Sequence, residues 1–143
     1  MTETKPPTSS IGAQDDIELR LGASLVHLPI IRSVAASIAM RVDFDLDSIA
    51  DLRLAVDEAC STLITRAVPG STMVCRFTLD EDQLLFRGAV ASDDAEAPST
   101  TSFGWKVLTT LADSATAWAE PNTENGQGSW VQIELAKRKP AFS

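Results

Sequence analysis

The chain contains no apolar run approaching the ~20 residues that a membrane-crossing helix requires, which excludes a helical span. Its opening stretch, MTETKPPTSSIGAQDD, has neither the basic region nor the apolar region of a secretory signal, so none is expected. Cysteine is scarce: Cys60 and Cys75 are the two in 143 residues, and they match no zinc spacing and no disulfide framework. The single histidine, His27, stands just before a helical stretch and reads as a cap or surface residue rather than a metal ligand. Positive charge is also short, with 12 Lys and Arg against 20 Asp and Glu and a formal net charge of −8. That balance argues against a nucleic-acid partner, because phosphate binding depends on neutralisation by Lys and Arg. An acidic surface suits a partner that is itself basic. The one cationic cluster, Lys137-Arg138-Lys139, reads as a solubilising end. A reduced, cytoplasmic protein that binds neither membrane nor nucleic acid is the expectation.

What remains is ordinary globular material. The hydrophobic fraction is 44%, and the length fits one domain able to bury a core without disulfides or metals. Residues 1–15 are polar and rich in Pro and Ser, and are expected to form a tail outside the fold. Ile17, Leu19 and Leu21 alternate with Glu18 and Arg20 as in a half-buried strand over Asp16–Leu21. Pro29 opens a helix whose apolar stripe is Ile30, Ile31, Val34, Ile38 and Val42, with Arg32 and Arg41 off it. Ser48 with Asp51 resembles a capping box that begins a second helix, which Pro69-Gly70 ends. Strands Met73–Leu79 and Leu84–Val90 flank a polar hairpin link, Asp80 to Gln83. A small-residue loop over 92–102 leads to a helix from Phe103 to Asp113. Strands Ala115–Ala119 and Ser129–Leu135, around a Gly-rich turn Asn122–Gly128, close the pattern. The order β-α-α-β-β-loop-α-β-β predicts an α+β two-layer sandwich: a mainly antiparallel, mixed sheet with the helices on one face, over 16–136, followed by a tail at 137–143.

The chemistry concentrates in the second helix, DLRLAVDEACSTLITRA over 51–67. Leu52, Val56, Ala59 and Leu63 follow the helical period, while Glu58 and Thr62, four apart, project one turn from each other on another face. This segment and the element order resemble the GHKL-type ATP-binding fold, and within it the anti-sigma-factor serine kinases of the RsbW/SpoIIAB type, especially their actinobacterial members. The resemblance extends over roughly 16–136. It implies Glu58 as general base and, where that family has Asn, Thr62 as ligand to magnesium and nucleotide. After the strand Leu84–Val90 the family's D-x-G-x-G gives way to Ala91-Ser92-Asp93-Asp94-Ala95, with Asp93 as the residue for the adenine amine. Its later glycine motif is reduced to Ser102-Phe103-Gly104-Trp105, so Gly104 is the glycine expected near phosphate. Arg32 lies close to the first-helix arginine that contacts the partners.

By that resemblance the expected function is an anti-sigma factor. It is expected to form a homodimer through the first helix and a sheet edge, to sequester a sigma factor, and to be countered by an anti-anti-sigma factor. ATP and Mg are the implied cofactors. Two alternatives stay open: an active ATP-dependent protein serine kinase in which Thr62 and Asp93 substitute for the family's ligands, and a nucleotide-free adaptor that shares only the sandwich. Cys60, Cys75, Trp105, Trp118 and Trp130 read as core or contact residues.

Overall fold

Strand alternation and helical stripes place the apolar residues on one side of a sheet. In the computed structural model, which describes residues 16–122 and 128–140, β1 is Asp16–Gly22. A short 3-10 turn, Leu25–His27, leads into α1, Leu28–Arg41, which has Pro29 in its first turn. Then come α2 (Leu46–Arg66), β2 (Thr72–Leu79), β3 (Gln83–Ser92), α3 (Phe103–Leu111), β4 (Ser114–Pro121) and β5 (Ser129–Arg138). The expected N-terminal tail and most of the Asn122–Gly128 turn lie outside the described residues.

The five strands are ordered β1-β2-β3-β5-β4, and all four pairings are antiparallel. The expected mixed sheet is therefore antiparallel throughout. α3 carries the chain over the sheet so that β3 and β4 run in the same direction, but β5 lies between them and opposes both. The two-layer α+β reading holds.

The core forms where the helices meet the sheet. Ile31, Ala35, Ile38 and Ala39 of α1 join Leu52, Ala55, Val56, Ala59 and Leu63 of α2 above Phe77, Phe86, Val90, Ile133 and Leu135. The fully buried alanines on both helices permit close approach of their axes. Phe77 and Phe86, opposite each other on β2 and β3, pack with ring centroids 5.2 Å apart at a tilt of 56°. Cys60 and Cys75 are both buried and free. A hydrogen bond with Cys75, reinforced by burial, holds the Cys60 thiol well above its ordinary pKa, which keeps it protonated.

Two local expectations are corrected. The cap of α2 is Asp45, whose extended backbone lets Oδ1 accept from the Ser48 N–H at 2.7 Å, so the helix starts earlier and no Ser48–Asp51 capping box forms. Lys137 is no solvated end. β5 continues through Arg138, and the Lys137 ammonium donates to the Leu111 carbonyl at 2.9 Å while lying 3.4 Å from Asp51 Oδ2. A cation there satisfies an orphan carbonyl in the last turn of α3 and ties three elements together.

Candidate functional site

Residues 58, 62 and 66 of α2 recur every four positions, so they form one stripe beside the core stripe. This stripe faces α3 and the loop before it. Glu58 and Thr62 are half-buried, and the Thr62 hydroxyl donates to Glu58 Oε2 over a long 3.4 Å. α3 begins at a cap in which Ser102 Oγ accepts from the Trp105 N–H at 3.1 Å. This turn sets Gly104 directly against the acid: a Cβ at 104 would stand 2.7 Å from Glu58 Oε2, 3.2 Å from Cδ and 3.8 Å from Oε1. Glu58, Thr62 and Gly104 are thus brought together.

Arg66 holds the neighbouring loop. Its Nη2 donates to the Glu96 carbonyl and lies 3.5 Å from Asp94 Oδ2. The loop is braced further by hydrogen bonds from the Asp94 N–H to Ser92 Oγ (3.1 Å), from the Glu96 N–H to Asp94 Oδ1 (2.9 Å), and from Ser129 Oγ to the Asp94 carbonyl (2.7 Å). Asp93 is exposed on this loop at the end of β3, and it is its neighbour Asp94 that faces Arg66.

Arg32 occupies a different place. It reaches from α1 to Asp57, with Nε 3.3 Å from Oδ1, an ion pair whose atoms are not aligned as a hydrogen bond. Asp57 precedes Glu58 by one residue, roughly 100° around the helix, so this pair sits in the α1–α2 seam and not with Glu58. On the other side of Glu58, Leu54, Phe103, Val107 and Leu111 line an open groove of about 330 Å³, in which Phe103 is 82% exposed.

Sequence reasoning does not single out Arg66 and Asp94 as site residues. The 58-62-66 spacing is a usable signal for Arg66. Nothing in two adjacent acids of an irregular loop distinguishes Asp94 from Asp93.

Comparison with known proteins identifies the family and the fold. The model of the histidine kinase-like ATPase domain matches residues 21–135. The chain belongs to that family, and within it to the RsbW type. It is 36% identical over 129 residues to the anti-sigma-F factor RsbW of Mycobacterium tuberculosis, covering 89% of this chain and 76% of the relative. It is 35% identical over 74 residues to the serine-protein kinase RsbW of Bacillus cereus, covering 49% of this chain and 45% of that one. A crystal structure of RsbU and RsbW domains from Mycobacterium tuberculosis superposes with a TM-score of 0.64 at 14% identity, over 88% of this chain and 33% of that one, which supports the fold.

Proposed function

We propose that the chain is a cytoplasmic anti-sigma factor: it binds a sigma factor, withholds it from transcription, and yields it to a competing anti-anti-sigma factor. The observation that carries this reading is the 36% identity to an anti-sigma-F factor across most of both chains. The net charge of −8 supports a basic partner. Arg32, half-exposed in the α1–α2 seam with Asp57 beside it, is the partner contact in this reading. The protein acts as a homodimer formed through α1 and a sheet edge. Pull-down with the sigma factors of its own organism tests the function. One of them is expected to be retained, with at least tenfold weaker binding for Arg32→Ala; a truncated charged contact at an interface typically costs about 2 kcal/mol or more. Retention of none overturns the reading.

A second reading is favoured by the convergence of Glu58, Thr62 and Gly104. In it the protein is an ATP-dependent serine kinase acting on its antagonist, with Glu58 as general base. Magnesium keeps an octahedral shell largely of water and phosphate oxygens and takes one or two protein oxygens. The Thr62 hydroxyl, beside the Glu58 base, supplies an oxygen of that kind. Among the described residues there is no group of three His, Cys, Asp or Glu side chains to hold an ion unaided. The donor set therefore fits magnesium carried on ATP, which supplies the phosphoryl group. In this reading Asp93 accepts from the adenine amine, and backbone N–H groups in the first turn of α3 face phosphate. Transfer of labelled phosphate to a serine of the antagonist, lost in Glu58→Ala, is expected; no transfer to any candidate antagonist overturns it.

A further inference from the structure

Gly104 is a glycine that its backbone does not require. It lies in the first turn of α3, and the described glycines with positive φ are Gly70 and Gly128. Alanine could adopt the same helical backbone and is the better helix former. What the missing side chain leaves room for is a carboxylate: Glu58 Oε2 fills the place a Cβ would take, 2.7 Å from it. The Thr62 hydroxyl reaches the same oxygen at 3.4 Å, whereas Oε1 stands 3.8 Å from that point. Two elements thus converge on one oxygen of the acid and leave the other free of both.

We propose that Gly104 is a positioning residue for Glu58: its missing side chain, with the Thr62 hydroxyl, seats the carboxylate by Oε2 and presents Oε1 to the reacting hydroxyl. This rests on the serine-kinase reading. In the step it serves, a serine hydroxyl of the antagonist gives its proton to Oε1 as its oxygen bonds to the terminal phosphorus of ATP. The bridging P–O bond breaks, and its electron pair leaves on ADP. The protonated acid then releases its proton to water. Thr62 accordingly acts through Glu58 as well as through any metal contact.

The steric relation makes this separable from a role at the nucleotide. A Cβ at 104 must displace Oε2, and Glu58 is a flexible, half-exposed chain that can turn aside without unfolding anything. A misplacement of about 1 Å at a reacting group costs on the order of 10²-fold in rate. If instead the glycine serves backbone approach to phosphate, its replacement weakens nucleotide affinity. The test uses the full chain as wild type, Gly104→Ala, Glu58→Asp and the double variant. It measures the Kd for Mg-ATP by calorimetry and the kcat of transfer to the antagonist in all four, and the carboxyl 13C resonance of Glu58 by NMR in the wild type and Gly104→Ala. We expect Gly104→Ala to lower kcat about 10²-fold and shift the Glu58 resonance while Kd stays within about threefold. In the Glu58→Asp background, whose shorter arm withdraws the carboxylate, the same substitution is expected to cost less than about threefold. A Kd weakened more than about tenfold with unchanged kcat would overturn the assignment, as would an unshifted resonance. If wild type transfers no phosphate, the kinase reading fails and the positioning role falls with it; the resonance then reports only whether the Gly104–Glu58 contact exists.

Discussion

Two glycines make room for side chains of α2, and what each accommodates differs in kind. On the core side, a Cβ at Gly88 of β3 would stand 2.7 Å from Leu63 Cδ1; on the α3 side, a Cβ at Gly104 would stand 2.7 Å from Glu58 Oε2. The distances are equal, but the consequences are not. Leu63 is fully buried among close-packed neighbours and has nowhere to turn, so crowding there becomes strain. Glu58 is half-buried beside a loop and an open groove, so crowding becomes displacement. One flank of the helix converts a steric change into lost stability, and the other converts it into altered geometry.

The strongest way to break this comparison is at Leu63. Leu63→Ala is expected to destabilise the fold by about 3 kcal/mol in urea denaturation, through lost transfer energy and the cavity left behind. A loss below about 1 kcal/mol would mean that the core flank is not tightly packed. The next largest effect is expected for Gly88→Ala, about 1–3 kcal/mol, largely relieved in a Leu63→Ala background because the two residues compete for the same space. Gly104→Ala should leave the unfolding midpoint within about 2 °C, as its helix propensity gain offsets the rotation of Glu58. Equal losses at the two glycines would erase the distinction.

The smallest effect concerns pH and the start of α2. Hydrogen bonds from Ser48 hold the Asp45 carboxyl below its ordinary 3.8. A depressed folded-state value means the contribution is present above the unfolded pKa and is lost as pH falls through the folded one. Asp45→Asn retains a cap acceptor but cannot titrate. Its stability is therefore expected to fall less steeply than that of wild type as the pH drops below about 4, measured by thermal melts at each pH. Parallel curves would show that the Asp45 charge plays no part.

Local pattern makes some of this legible. Leu52, Val56, Ala59 and Leu63 have a single periodic explanation, and their burial follows from it. Every element expected from turn residues and alternation exists. The start of α2 differs from the expected one because Asp45 and Ser48 are both good caps three residues apart, and only backbone geometry selects between them. The insertion of β5 between β3 and β4 is a non-local pairing that no local pattern encodes. Lys137 reads as solvated in its local context because its partners, Asp51 and the Leu111 carbonyl, are distant in sequence. At the site, Glu58, Thr62 and Gly104 are visible as separate residues. Their convergence on one carboxylate oxygen depends on where α3 lands against α2, which only the folded chain reveals.

Whether the α2–α3 flank is a nucleotide site or merely a loose edge of the core is decided most directly by calorimetry. The full chain is titrated with Mg-ATP, and the titration is repeated on Asp93→Asn. Micromolar binding by the wild type that weakens in the variant is the expected result. No heat of binding at millimolar nucleotide would contradict a nucleotide site and leave partner sequestration as the protein's function.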